Sequence, residues 1–194
     1  LDRAKMRLAV NIPPPAPLRL VTQRWSLRDS NWAIDFSEAA RTIADFYQVE
    51  TGQTVDGVIG ITAHAGQELV RSLGSVPLAD GTQLTADNFY ETLQYKIEKG
   101  YFLDPANRAT NEPKQVIEQL VTTVARRLMV PWQLNQAASW LQTMLATKQV
   151  TMSFFDQRRE RQAEERHWAN RVDSQSQHYL ALNNANLGGQ KSSR

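Results

Sequence analysis

Residues Asp35–Gly74 read DFSEAARTIADFYQVETGQTVDGVIGITAHAGQELVRSLG, and within this stretch the pattern of apolar residues changes period twice. Asp35 with Glu38 three residues on is a capping-box arrangement that opens a helix, and Ala40, Ile43, Phe46 and Tyr47 supply its apolar face. Gly52 then provides the left-handed stop. Thr54–Thr62, TVDGVIGIT, is a short run rich in β-branched residues that predicts a buried strand, and its two glycines, Gly57 and Gly60, predict close backbone approach. Thr62 can cap a second helix, AHAGQELVRSL, which ends at Gly74. The order helix, strand, helix indicates an α/β layer.

Working outward toward the C-terminus, SVPLADGTQL reads as a short strand at 75–79 with a turn at Asp80 and Gly81. Phe89, Leu93 and Ile97 then repeat at helical spacing, and the polar loop DPANRATNEP leads to Pro113 near the next helix start. Val116, Leu120, Val124 and Leu128 make that helix's stripe; Pro131 opens another helix whose face is Leu134, Ala138, Leu141 and Leu145. QVTMSFFD returns to strand chemistry at 149–155. The charged run QRRERQAEERHWANR follows as a solvated helix in which Arg161 and Glu165 can pair at i and i+4. HYLALNNAN predicts a last strand at 178–185. The expected architecture is therefore α/β: a mixed sheet of 54–61, 75–79, 149–155 and 178–185 covered by helices, with a helical layer at 85–147 between the middle and last strands.

Toward the N-terminus, Pro13, Pro14, Pro15 and Pro17 forbid regular helix and predict an extended connector over residues 1–24. The domain then occupies 25–186, and 187–194 is a flexible tail. The start at Leu1 suggests a piece of a longer protein.

Composition narrows the function classes. The 194 residues hold 22 Lys and Arg against 20 Asp and Glu, scattered along the chain, which argues against a nucleic-acid partner, since that usually draws a concentrated basic stripe. With no cysteine, disulfides, thiolate catalysis and Cys-based zinc sites are excluded. No run reaches the roughly 20 apolar residues of a membrane-spanning helix. His64, His167 and His178 have no metal-ligand spacing, and no serine stands in a nucleophile-elbow context. Asp80, Asp87 and Asn88 read as turn and cap residues. NANLGGQKSS has the composition of a phosphate loop, but Gln190 separates Gly189 from Lys191, so it reads as a strand end followed by a turn.

The candidate site is SLRDSNW, Ser26–Trp32, just upstream of the first cap. An acid, a base, an amide and an indole in one short stretch admit two readings. One is a ligand site in which a helix N-terminus and Arg28 hold an anion; the other is a turn in which Asp29 and Ser30 satisfy local backbone N–H groups and Trp32 packs inward.

A set of segments resembles the bacterial and archaeal domain-of-unknown-function 4012 family of envelope proteins: PPPAPL at Pro13–Leu18, LRDSNW at Leu27–Trp32, DFSEAARTIADFY at Asp35–Tyr47, TGQTVDGVIGI at Thr51–Ile61, LTADNF at Leu84–Phe89 and NANLGGQKS at Asn184–Ser192. The family typically carries a glycine-rich strand and turn ahead of the proline segment, and here Asn170 stands where it tends to have glycine after Trp168 and Ala169. More distantly, the order of elements is similar to that of the LytR, CpsA and Psr envelope proteins, which move glycans from polyprenyl pyrophosphate carriers onto the cell wall. The resemblance implies an extracytoplasmic domain, anchored to the membrane through a segment outside this chain, whose partners are an envelope glycan or polyprenyl phosphate and the flanking segments of its own protein. It implies that Arg28 binds phosphate, that Asp29 holds a divalent metal or orients Arg28, and that Asn31 donates to a phosphate or sugar oxygen. No other cofactor is expected. The alternative function is a non-catalytic surface or assembly module.

Overall fold

Helix α1 (Phe36–Thr51) begins and ends at its expected signals. The Asp35 carboxylate accepts from the backbone N–H groups of Ser37 and Glu38, satisfying donors that have no partner inside the helix. At the other end Gly52 takes φ of 73°, and its N–H donates to the Gln48 carbonyl. The computed structural model describes residues 12–20, 22–99 and 115–172. In chain order they form α1, β1 (Gly57–Ile61), α2 (Ala63–Leu73), β2 (Val76–Pro77), β3 (Gln83–Leu84), α3 (Phe89–Gln94, continued by a π turn at Tyr95–Lys99), α4 (Gln115–Arg127), α5 (Pro131–Ala146), β4 (Val150–Phe154) and α6 (Gln157–Glu165). The α/β class stands. The strand predicted at 178–185, the tail, Pro113 and His178 lie outside the described residues.

The strands do not join one sheet among the described residues. They form two separate pairs, β1 with β4 and β2 with β3. In the first, Phe155 N–H donates to Asp56 O at one end and Thr62 N–H to Gln149 O at the other, so the strands run in opposite directions. In the second, Val76 faces Leu84 and Pro77 faces Gln83 across a turn that Asp80 closes by accepting from Thr82 N–H. Pro77 has no N–H to give a neighbour, and two-residue strands offer little ladder to extend.

The described chain divides into two units: Ile61–Val150, and the residues up to Gly60 together with those from Thr151. The helical layer expected at 85–147 shares its unit with α2 and the β2–β3 hairpin. Nor is the proline segment wholly extended. Ala16–Leu20 is a 3-10 turn with Leu18 buried, and Trp25 N–H donates to Ile12 O.

In the unit containing α1, the β1–β4 pair is built on closeness. A Cβ at Gly57 would lie 2.4 Å from the Ser153 carbonyl oxygen; one at Gly60 would lie 2.8 Å from the Phe36 ring and from Thr151 Oγ1. The predicted close approach is present, but the strand is not buried. Ile59 and Ile61 are 56% and 61% exposed, because the period of two turns them away from the face that meets Phe36. Glu160 of α6 gathers this face: Oε1 accepts from the hydroxyls of Ser37 and Ser153, and Oε2 accepts from Phe154 N–H at 2.6 Å. Asp35 Oδ2 accepts from Val172 N–H, and Phe36 N–H donates to Asn170 O, which ties the chain after α6 to the start of α1. Helix α6 stops at Glu165, short of the charged run's end; His167 is left-handed, and the ion pair formed there is Glu164 with Arg171.

The Ile61–Val150 unit has an apolar centre of Val70, Val76, Leu78, Leu84, Phe89 and Val116, with Leu93, Ile97 and Leu120 packed against it. The α4 stripe therefore faces inward as its spacing predicts. The α5 face does so only in its second half: Leu145 is buried and Leu141 half-buried as expected, but Leu134 and Ala138 are exposed, while Gln133 and Met144 are buried. Trp140 accounts for part of the rotation, since its indole N–H donates to the Ala65 carbonyl and turns its side of α5 toward α2.

Candidate functional site

The Trp25–Trp32 stretch is a 3-10 turn (Leu27–Asp29) set against α1. Trp25 anchors it by packing edge-on to Phe46 of α1, with ring centroids 5.2 Å apart, while Leu27 N–H donates to Glu50 Oε1 at 3.0 Å. Within the turn the polar groups meet one another. Trp25 Nε1–H donates to the Asp29 carbonyl at 3.0 Å, Ser26 Oγ–H to Asp29 Oδ2 at 3.2 Å, and the buried Ser30 hydroxyl to the Leu27 carbonyl at 2.7 Å.

Arg28 and Asp29 are brought together: an Arg28 Nη2 donor lies 3.4 Å from Asp29 Oδ2. The Arg28 side chain is 75% exposed, so the pair contributes little to stability. Asn31 is exposed and Trp32 half-buried. The helix N-terminus that would complete an anion site is already filled, since the N–H groups of Ser37 and Glu38 go to Asp35 and that of Phe36 goes to Asn170 O. Sequence reading missed Trp25 and Glu50, the two residues that fix the turn. The tryptophan was visible only as one of five, and Glu50 acts across 23 positions.

A divalent metal does not fit this turn. Asp29 is its one carboxylate, and Oδ2 is shared between a hydroxyl and a guanidinium, which competes with a cation for the same oxygen. Among the described residues no group of three or more His, Asp or Glu side chains is arranged to hold a metal ion. The titrations that move belong to surface pairs elsewhere. The Lys96 ammonium, bonded to Asp80, and then the Thr82 N–H push the Asp80 carboxyl down to about 2; Glu68 raises Arg71 and Glu164 raises Arg171.

Two cavities open away from the turn. One of about 300 Å³ lies along the outer side of α1 between Arg41, Asp45, Gln48, Thr54 and Phe155. The other, about 390 Å³, lies between α2 and α5 beside Glu68, Ser72, Gln136 and Trp140. Neither is lined by Arg28, Asp29 or Asn31.

Residues 9–97 match the model of a family described as a protein of unknown function, DUF4012. That span takes in the Trp25–Trp32 turn, α1, β1, α2, the β2–β3 hairpin and α3, but not the C-terminal segment NANLGGQKS. No curated protein and no solved structure matches the chain. Over residues 9–97 the chain is therefore similar to the DUF4012 family.

Proposed function

We propose that this chain is a non-catalytic module of an extracytoplasmic cell-envelope protein, held at the membrane through a segment outside it, and that the Trp25–Trp32 turn is a structural clasp on α1. One observation carries the reading: the Asp29 carboxylate accepts from Ser26 and Arg28 and its carbonyl from Trp25, so the acid that chemistry would need is already used in the turn. The envelope part rests on the resemblance of segments such as LRDSNW and TGQTVDGVIGI to envelope proteins. Asp29→Ala should lower the melting temperature, whereas Arg28→Ala should leave it unchanged, because the exposed ion pair is weak. Equal losses from the two variants would contradict the clasp. Protease accessibility of the native protein in intact spheroplasts tests the compartment, and full protection would contradict it.

A second reading, recognition of a phosphorylated or polyprenyl-linked glycan, is favoured by one feature: Arg28 and Asn31 are both exposed on a turn whose backbone is already ordered. Calorimetric titration with a pyrophosphate lipid analogue decides it. Saturable heat that Arg28→Ala abolishes would establish this reading; no heat, or heat indifferent to Arg28, would remove it.

A further inference from the structure

From Glu118 to Asp156 the chain contains no other carboxylate, yet it carries Arg126, Arg127 and Lys148. Within that stretch α5 has no charged residue at all. Its turn with α4, Leu128–Leu134, reads LMVPWQL, and the large apolar side chains there point outward: Met129 is 86% exposed, Trp132 60% and Leu134 54%, with Val130 partly exposed.

The corner is well formed, which makes the exposure a property of its side chains. Met129 N–H donates to Arg126 O, Val130 N–H to Arg127 O, and Gln133 and Leu134 N–H both donate to Val130 O. Arg127 fastens it to α2, donating to the carbonyls of Leu73, Gly74 and Ser75 and so filling acceptors at that helix's C-terminal end. Trp132 and Leu134 stand on different sides of α5, but both lie in its first turn, where side chains lean toward the N-terminus and hence toward the corner. Arg126 is exposed one turn back on α4.

We infer that the α4–α5 corner docks this unit onto an anionic lipid surface. A projection of Met, Val, Trp and Leu is the shape that enters a headgroup layer, where a tryptophan places its ring at the apolar boundary and its N–H in water. The two arginines behind it complement anionic headgroups, and the corner's own stretch adds no carboxylate to oppose contact. A groove-binding peptide would need a concavity, and Met129 stands out of the surface. Among the described residues no helix is long and apolar enough to cross a membrane, so contact here is at the surface. The corner lies outside residues 9–97, and the inference is independent of the family match and of the Arg28 turn.

The test is sedimentation of the full chain with vesicles of phosphatidylcholine alone and of equal parts phosphatidylcholine and phosphatidylglycerol. The chain should partition onto the mixed vesicles, and Met129→Ser with Trp132→Ser should weaken this roughly tenfold to a hundredfold. Arg126→Glu should weaken it about tenfold on mixed vesicles only. Ile59→Ser, which removes an exposed apolar residue elsewhere, should change nothing. As a measurement that needs no serine variant, brominated lipid should quench wild-type fluorescence, and the quenched fraction should fall in Trp132→Phe. No partition onto mixed vesicles, or partition indifferent to the corner variants, would overturn the proposal. So would a dimer in solution that the double variant dissolves, because the surface would then belong to a second copy of the chain.

Discussion

The two units solve the same problem with different materials. Around β1 and β4 the packing is close and polar: glycines at 57 and 60 let backbone approach backbone and ring, and Glu160 collects two serine hydroxyls and a strand N–H. In the Ile61–Val150 unit the centre is a cluster of Val, Leu and Phe, and Lys96 pairs with Asp80 at its surface. Directional bonds demand particular partners at particular distances, while apolar burial asks mainly for volume. The first unit should therefore be intolerant of small additions and the second of large deletions.

The largest effect expected is from Phe89→Ala, which empties the apolar cluster and should cost about 4 kcal/mol. Hydrogen exchange should rise through residues 61–150 and much less in α1; a uniform rise would show that the units open together and dissolve the contrast. Next, Gly57→Ala adds a single methyl that meets a backbone oxygen, which cannot rotate away, and should cost about 2 to 3 kcal/mol with protection lost in β1 and β4. If Gly57→Ala is silent, closeness is not what holds the strand pair. Glu160→Ala leaves Phe154 N–H and two hydroxyls seeking partners, worth about 2 kcal/mol in urea denaturation, and Glu160→Gln should recover more than half by keeping one acceptor. Failure of glutamine to rescue would mean that the charge matters more than the bonds.

The smallest effect belongs to the surface pair. Because Lys96, then Thr82, lowers the Asp80 carboxyl to about 2, its contribution is fully present above the ordinary carboxyl range and fades as pH falls from near 4 toward 2. Asp80 is half exposed, which limits the contribution to about 1 kcal/mol or less. The stability difference between wild type and Asp80→Asn should thus be constant at neutral pH and vanish in strong acid. A difference that grows on acidification would reverse the assignment.

The Trp25–Trp32 turn and the α4–α5 corner repeat this lesson at the surface. SLRDSNW draws attention because its side chains are chemically capable, and that capability lets them bond one another. The corner looks like ordinary core sequence, and only its exposure distinguishes it. Of the candidate site, the sequence disclosed the position and the polar groups. It did not disclose Trp25 packing on Phe46 or the bond from Leu27 to Glu50, since both cross more than 20 positions of chain.

What the sequence by itself determined is local: the Asp35 and Thr62 caps, the Gly52 stop, the Asp80–Gly81 turn and the need for glycine at 57 and 60. Each cap or turn depends on groups a few residues apart, and a strand glycine announces that something must come near without naming it. Tertiary structure decided that the strands form two pairs, that α5 buries Gln133 while Leu134 faces out, that Ile59 and Ile61 look away from α1, and that Glu160 serves three donors. Apolar attraction has no direction, so amphipathic spacing fixes that a face exists, while the neighbour that arrives from distant sequence selects which face is covered.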